Sequence, residues 1–284
     1  MFPLIGLIVV IASVVGGYLL SHGNLLALWQ PYELIIIAGA ALGAFFIANP
    51  PGVAAAVFRN VPTIVKGSPY SKAMYLDLLA LLYELFVKAR KDGLMSIESD
   101  IDDVAGSAIF VKYPKITANH HVTEFITDYL RLMVAGNMNP YELENLMDVE
   151  LDTHHEENEL PVNALTRVAE GLPGFGIVAA VLGIVITMAS LGGPVEEIGV
   201  HVAAALVGTF LGILLAYGFV GPAAAALEHL AREQTKFLGC IKVCLMATLN
   251  GYSPQIAVEF GRKVMYARER PKFQELEAHV KEKH

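Results

Sequence analysis

All twenty lysines and arginines of this chain fall in two blocks. Ten lie from Arg59 to Arg167 and ten from Arg232 to Lys283, while positions 1–58 and 168–231 hold none. Each base-free zone holds two apolar runs near the length of about 20 residues that a helix needs to cross a bilayer. They are Pro3–Leu20, 34–48, 172–191 and 200–220. The second is short and needs a turn from its flanks; Asn49-Pro50-Pro51-Gly52 ends it, a run that breaks helices. The pattern predicts an all-α polytopic membrane protein with its charged parts on one side, which the positive-inside rule makes the cytoplasm.

That reading sets the domains. Residues 1–52 hold the first two membrane helices, and 53–170 form a helical cytoplasmic domain. Residues 171–220 hold the third and fourth membrane helices, and 221–284 form cytoplasmic C-terminal helices. The short loops 22–33 and 192–199 carry no base and face outside, so both termini lie in the cytoplasm. The first run lacks the basic start of a signal peptide and reads as a retained helix.

Hydrophobic residues are 55% of the chain, too many for an ordinary soluble domain. The net charge of −8 comes from the insert, where 18 acids face 10 bases between Arg59 and Glu170. An acidic cytoplasmic face argues against nucleic acid as a partner. Cys240 and Cys244 are the only cysteines. In a reducing compartment, four residues apart, they read as small, partly buried helix residues rather than a disulfide or zinc site.

Within the insert, 71–91 reads as a helix capped by Ser71, with Leu78, Leu81, Leu82, Leu85 and Phe86 as its apolar stripe. Glu84 and Lys88 stand as an i, i+4 pair. Lys88, Arg90 and Lys91 precede a turn and then the acidic run Glu98-Ser-Asp-Ile-Asp-Asp103. His120–Ala135 and 140–159 read as further helices; the second contains His154, His155, Glu156 and Glu157, which point in different directions on a helix and do not converge on one metal. The tail reads as a helix over 221–249, a turn, a basic stretch from Gly261 to Pro271 and a short charged end, 273–283, that frays. The basic stretch is open to anionic lipid or to the acidic insert. No Walker A loop, nucleophile elbow or zinc-protease motif occurs, so the expectation is a non-enzyme without cofactor or metal.

Two GxxxG segments, Gly39-Ala-Ala-Leu-Gly43 and Gly208-Thr-Phe-Leu-Gly212, offer faces for close helix packing. No Asp, Glu, Lys or Arg falls inside the four runs as bounded above; they offer hydroxyls such as Thr187, Ser190, Thr209 and Tyr217, which do not titrate near neutral pH. An ion-driven function therefore calls for a carboxylate from a partner.

Four stretches carry a family resemblance. They are Lys72-Ala-Met-Tyr-Leu-Asp-Leu-Leu-Ala-Leu-Leu-Tyr83, Leu172-Pro-Gly-Phe-Gly-Ile-Val-Ala-Ala180, Val207-Gly-Thr-Phe-Leu-Gly-Ile-Leu-Leu-Ala-Tyr-Gly218, and Asn250-Gly-Tyr-Ser-Pro-Gln-Ile-Ala-Val-Glu-Phe-Gly-Arg-Lys263. The chain resembles the MotA family of flagellar stator subunits, within the MotA/TolQ/ExbB proton-channel group. The resemblance implies a ring, a pentamer, around a MotB-type single-span, peptidoglycan-gripping partner that supplies the membrane aspartate. It implies an ion channel whose flow drives torque on the rotor protein FliG, and hence bacterial motility. By match, Arg90 and Glu98 resemble rotor-facing charges, and Glu150 a supporting one. Pro173 and Pro222 resemble two prolines at the cytoplasmic mouth of the third and fourth helices; from the residues alone, Pro173 also suits a first turn and Pro222 a helix end. Thr209 and Ala180 resemble positions beside the partner's aspartate. Sodium-driven relatives carry Thr where Ala180 stands, so the transported ion is expected to be H+. A TolQ- or ExbB-like subunit and a membrane scaffold remain as other readings.

Overall fold

The computed structural model describes residues 2–189, 191–192 and 194–283; Ser190 lies outside them. The described residues form helices and turns without strands. In chain order the α-helices are α1 (Phe2–Leu20), α2 (Leu25–Leu28), α3 (Pro31–Ala48), α4 (Pro51–Lys66), α5 (Lys72–Asp92), α6 (Glu98–Asp102) and α7 (Pro114–Thr117). Then follow α8 (His120–Ala135), α9 (Pro140–Ala189), α10 (Val195–Leu214), α11 (Gly221–Leu249), α12 (Pro254–Val264) and α13 (Phe273–Lys283). Four helical stretches are long and apolar enough to cross a membrane. The protein is all-α and multi-pass.

The chain divides into two compact units, one of residues 1–67 and 157–230, the other of 68–156 and 231–284. In the first, α1 exposes Ile5, Ile8, Val9 and Ile11, as expected of a helix turned to lipid. Its core is thin. Ile37 and Ala41 of α3 pack with Leu172, Ala179 and Ala216, and Phe45 packs with Ala54, Val57 and Ala164. The break at Asn49–Pro50 appears as expected, and Pro51 then opens α4 from the first-turn position where a missing N–H costs nothing. This helix was not foreseen; it seats Ala54, Val57 and Ile64.

The second unit has one core built around α5. Ser71 caps that helix, its hydroxyl accepting from Met74 N at 3.4 Å. Leu78, Leu79, Leu81, Leu82 and Leu85 are fully buried, because α7, α12 and α13 and the 3-10 turn Leu94–Ile97 pack against α5. With partners on several sides, α5 buries more than the expected stripe, Tyr75 and Leu79 included. Asn119 caps α8, accepting from Val122 N, and Gly136 ends it with the positive φ of 66° that a left-handed C-terminal turn favours. Asn139 and Glu142 exchange reciprocal bonds at 3.0 Å ahead of α9, a capping box.

Several expectations need correction. The helix expected over 140–159 runs on unbroken to Ala189 through Pro161 and Pro173. Glu84 and Lys88 do not pair: Glu84 is 6% exposed and accepts from Lys112 Nζ at 2.6 Å and from the Tyr113 hydroxyl at 2.7 Å. Lys88 instead donates to Asp100 Oδ2 at 2.6 Å, joining the basic helix end to the acidic run. A buried carboxylate needs more than one flexible neighbour on its own helix, and the turn holding Lys112 and Tyr113 supplies it. Cys240 and Cys244 are fully rather than partly buried. The end of the chain docks instead of fraying: Leu276 and Val280, four residues apart, enter the core, and His279 meets Asp77 at 3.0 Å. The basic stretch largely pairs at home. Arg262 grips Glu259 with two bonds of 2.6 and 2.5 Å and donates to Pro271 O at 2.9 Å. Arg268 pairs with Glu269 and with Glu233.

Candidate functional site

The first unit brings α9 and α10 into backbone contact. Gly176, Gly208 and Gly212 make this possible. A Cβ added at Gly212 would lie 2.7 Å from Leu172 O and 2.8 Å from the Gly176 Cα. One at Gly176 would lie 3.0 Å from Gly208 O and 3.4 Å from the Thr209 Cα, and one at Gly208 would lie 3.4 Å from Ala180 N. Thr209 and Ala180 therefore both border this crossing, Thr209 against Gly176 and Ala180 against Gly208, and both are half-buried. The Gly208–Gly212 segment is used as expected. The Gly39–Gly43 segment is not used within this chain: among the described residues, a Cβ at either position meets nothing within 4 Å.

Two prolines flank the crossing. Pro173 stands inside continuous α9, so it denies its N–H to Ala169 O; the first-turn reading is overturned by Pro140, which opens the helix far upstream. Pro222 denies a donor to Gly218 O in the same way. The chain responds with a π-helical stretch, Leu215–Val220, in which Gly221 N–H reaches back to Ala216 O. Pro222 thus does not end the helix, which continues as α11 to Leu249. A Cβ on Gly221 would sit 3.9 Å from the Ala169 Cβ, so the two weakened turns lie side by side. Single π turns inserted in α-helices occur mostly at functional sites.

A titratable group missed at the sequence level also stands here. Because Pro31 opens α3, Glu33 lies inside the helix, not in a loop. Its Cγ is 3.5 Å from the Cβ position of Gly208, and its Oε2 is buried with no hydrogen-bond partner among the described residues. Gly208 is thirteen residues beyond the start of α10, about 20 Å along the axis at 1.5 Å per residue. The expectation of spans free of acid is therefore wrong: the bundle holds its own carboxylate at the depth of the crossing. The signal was present, since proline at a first helical position places Glu33 in the first turn. His201 of α10 is a second such group, half-buried, with Nδ1 lacking a partner among the described residues. Thr187 spends its hydroxyl on Gly183 O at 2.8 Å, and Tyr217 is 74% exposed.

The charged candidates lie in the second unit. Arg90, at the end of α5, and Glu98, at the start of α6, are both exposed, and neither takes an ion-pair partner among the described residues. The nearby basic and acidic residues Lys88, Lys112, Asp100 and Glu84 are all engaged. Glu150 is exposed on α9 and held in place by the Tyr129 hydroxyl at 2.6 Å. Burial, and then the Glu150 carboxylate, push the Tyr129 phenol above its usual range. His154 meets Gln234 at 3.0 Å.

The family description "Motility protein A N-terminal" matches residues 4–93, and "MotA/TolQ/ExbB proton channel family" matches 117–239. The chain is 50% identical to Motility protein A of Salmonella typhimurium over 281 residues, covering 99% of this chain and 95% of that one. The values are the same for Motility protein A of Escherichia coli. It is 40% identical to Chemotaxis protein LafT of Vibrio parahaemolyticus over 96% of each chain. In fold it is similar to the solved C. jejuni MotAB structure, with a TM-score of 0.78 at 19% identity, covering 93% of this chain and 95% of that one. The flagellar MotAB stator complex from Bacillus subtilis gives 0.69 at 22% identity, covering 90% and 92%.

Proposed function

This chain belongs to the motility protein A family, within the MotA/TolQ/ExbB proton channel group, and from that membership we propose that it is a stator subunit of the bacterial flagellar motor. The observation that carries the reading is half-identity to Motility protein A along nearly the whole chain. With a MotB-type single-span partner it forms a proton channel, and it turns ion flow into torque. Copies assemble as a ring, a pentamer, in the inner membrane, with both termini in the cytoplasm.

At the crossing, Thr209 and Ala180 stand beside the partner's carboxylate. The absence of a hydroxyl at position 180 favours H+ over a metal cation, which needs oxygen ligands. Glu33, beside Gly208, adds a titratable oxygen of the chain's own. Pro173 and Pro222 leave two adjacent helix turns short of a bond each, which supports their reading as the place where a change at the channel bends the helices. Arg90 and Glu98 present unpaired charges to the rotor protein FliG, with Glu150 in support. One charge crossing about 100 mV releases about 2.3 kcal/mol, so each step is small and a revolution takes many.

The test is deletion of the gene, with flagellar filaments counted by microscopy and swimming scored. Cells with normal filaments that do not rotate bear the reading out. Cells that swim normally but leak periplasmic contents or fail at iron uptake overturn it in favour of a TolQ- or ExbB-like role.

A further inference from the structure

Beside Arg90 the second unit carries a groove of about 320 Å³, lined by Leu94, Met133, Leu249, Tyr252 and Pro254 along with Arg90 itself. Its walls come from α5, the 3-10 turn Leu94–Ile97, α8, the end of α11 and the turn before α12. The rim is apolar and exposed: Leu94 is 38% and Tyr252 47% accessible. Tyr252 continues into α12 through Phe260, the ring centroids 5.1 Å apart, and both rings remain open to solvent. An apolar cleft with an unneutralised guanidinium at its edge is an ordinary description of a surface that lacks its partner.

We propose that this groove receives an apolar side chain from an amphipathic helix of the rotor protein, a helix whose acidic residue meets Arg90. The inference rests on the rotor-facing reading of Arg90 and Glu98 and adds what those charges leave open. Exposed charges set the rate and orientation of an encounter but hold it weakly, whereas an apolar side chain seated in a cleft slows departure. Three features favour a rotor helix as the occupant. The groove is continuous with the proposed rotor contact through Arg90. The exposed charges here, Arg90, Lys91, Asp92 and Glu98, are of both signs and call for a partner of mixed sign. A helix presents an acid and an apolar residue one turn apart on the same face, the spacing of a rim charge and a neighbouring cleft.

The experiment uses the full chain assembled with its single-span partner in nanodiscs and measures binding of purified FliG across a range of salt. Leu94→Ser and Tyr252→Ser are each expected to weaken binding about tenfold while leaving the salt dependence as it is. Arg90→Ala is expected to weaken binding and flatten the salt dependence. If both serine variants bind normally while Arg90→Ala does not, the contact is purely ionic; the groove proposal falls and the rotor reading stands. If Arg90→Ala and the serine variants all bind normally, the rotor reading falls with it. Should Leu94→Ser fail to co-purify with the partner, Tyr252→Ser, on a different segment, decides the question.

Discussion

Tyr113 donates its hydroxyl to Glu84, and that one bond makes the phenol and the carboxylate dependent on each other. Burial first, and then Glu84, push the Tyr113 phenol far above its usual range. Tyr75 is pushed the same way, chiefly by burial, and so is Tyr129. A raised value in the folded state means that the folded form keeps a proton the unfolded form gives up. The associated stability is thus complete below about pH 10, the ordinary phenol value, and is lost as pH rises beyond it. In an alkaline titration these three tyrosines should ionise only as helical circular dichroism falls. Tyrosinate absorbance lost in a Tyr113→Phe variant while the helices of the unaltered chain are still intact would contradict this. The same variant leaves Glu84 one partner short and should cost about 1–2 kcal/mol, read as a lower thermal midpoint in detergent.

Helices α9, α10 and α11 make opposite use of glycine and proline. At the crossing, glycine lets two backbones touch; at the neighbouring turns, proline takes bonds away. Gly212→Val would drive a side chain into Leu172 O and the Gly176 backbone, where the available gap is 2.7–2.8 Å at Cβ alone. Overpacking of this kind costs about 1–3 kcal/mol and separates the helices. Gly43→Val meets open space. Comparing motility and membrane yield for the two should show loss for Gly212→Val, with Gly43→Val yielding normal protein. Any motility lost by Gly43→Val would then point to contacts between chains. Pro222→Ala restores an N–H to the turn that ends the π-helical stretch. A proline inside a helix costs about 3 kcal/mol relative to alanine, so the variant should be more stable and yet swim poorly. Slower amide exchange over residues 215–226 together with normal swimming would dissociate the π turn from function.

For the molecule as a whole, the sharpest expectation concerns conduction. Vesicles holding this chain alone should pass no protons under an imposed potential, and vesicles holding it with its single-span partner should. Flux from the chain alone, abolished by Glu33→Gln, would show that its own carboxylate suffices. The helical class, the four spans and the charged insert were legible because charge segregation and apolar length act through the bilayer on whole segments. Caps such as Ser71 and Asn119 were legible as local chemistry. What the sequence hid was pairing across turns: that Glu84 turns away from Lys88, and that Leu276 and Val280 dock. The depth of Glu33 is hidden for another reason: the continuous apolar run begins at Leu34, whereas the helix begins at Pro31. The roles proposed for Arg90, Glu98 and Glu150 rest on resemblance, whereas their exposure is structural. One consequence of the packing near α12 is practical. Cys240 and Cys244 are fully buried, with the Cys244 sulfur tight against Gly261. Its side-chain hydrogen bond with Cys244, together with burial, raises the Cys240 thiol well above its usual range. Thiol reagents attack the ionised form at accessible positions. The native protein should therefore stay dark to maleimide dyes and spin labels while folded, so one cysteine introduced on an exposed position such as Glu98 can report on motion without any prior removal of its own.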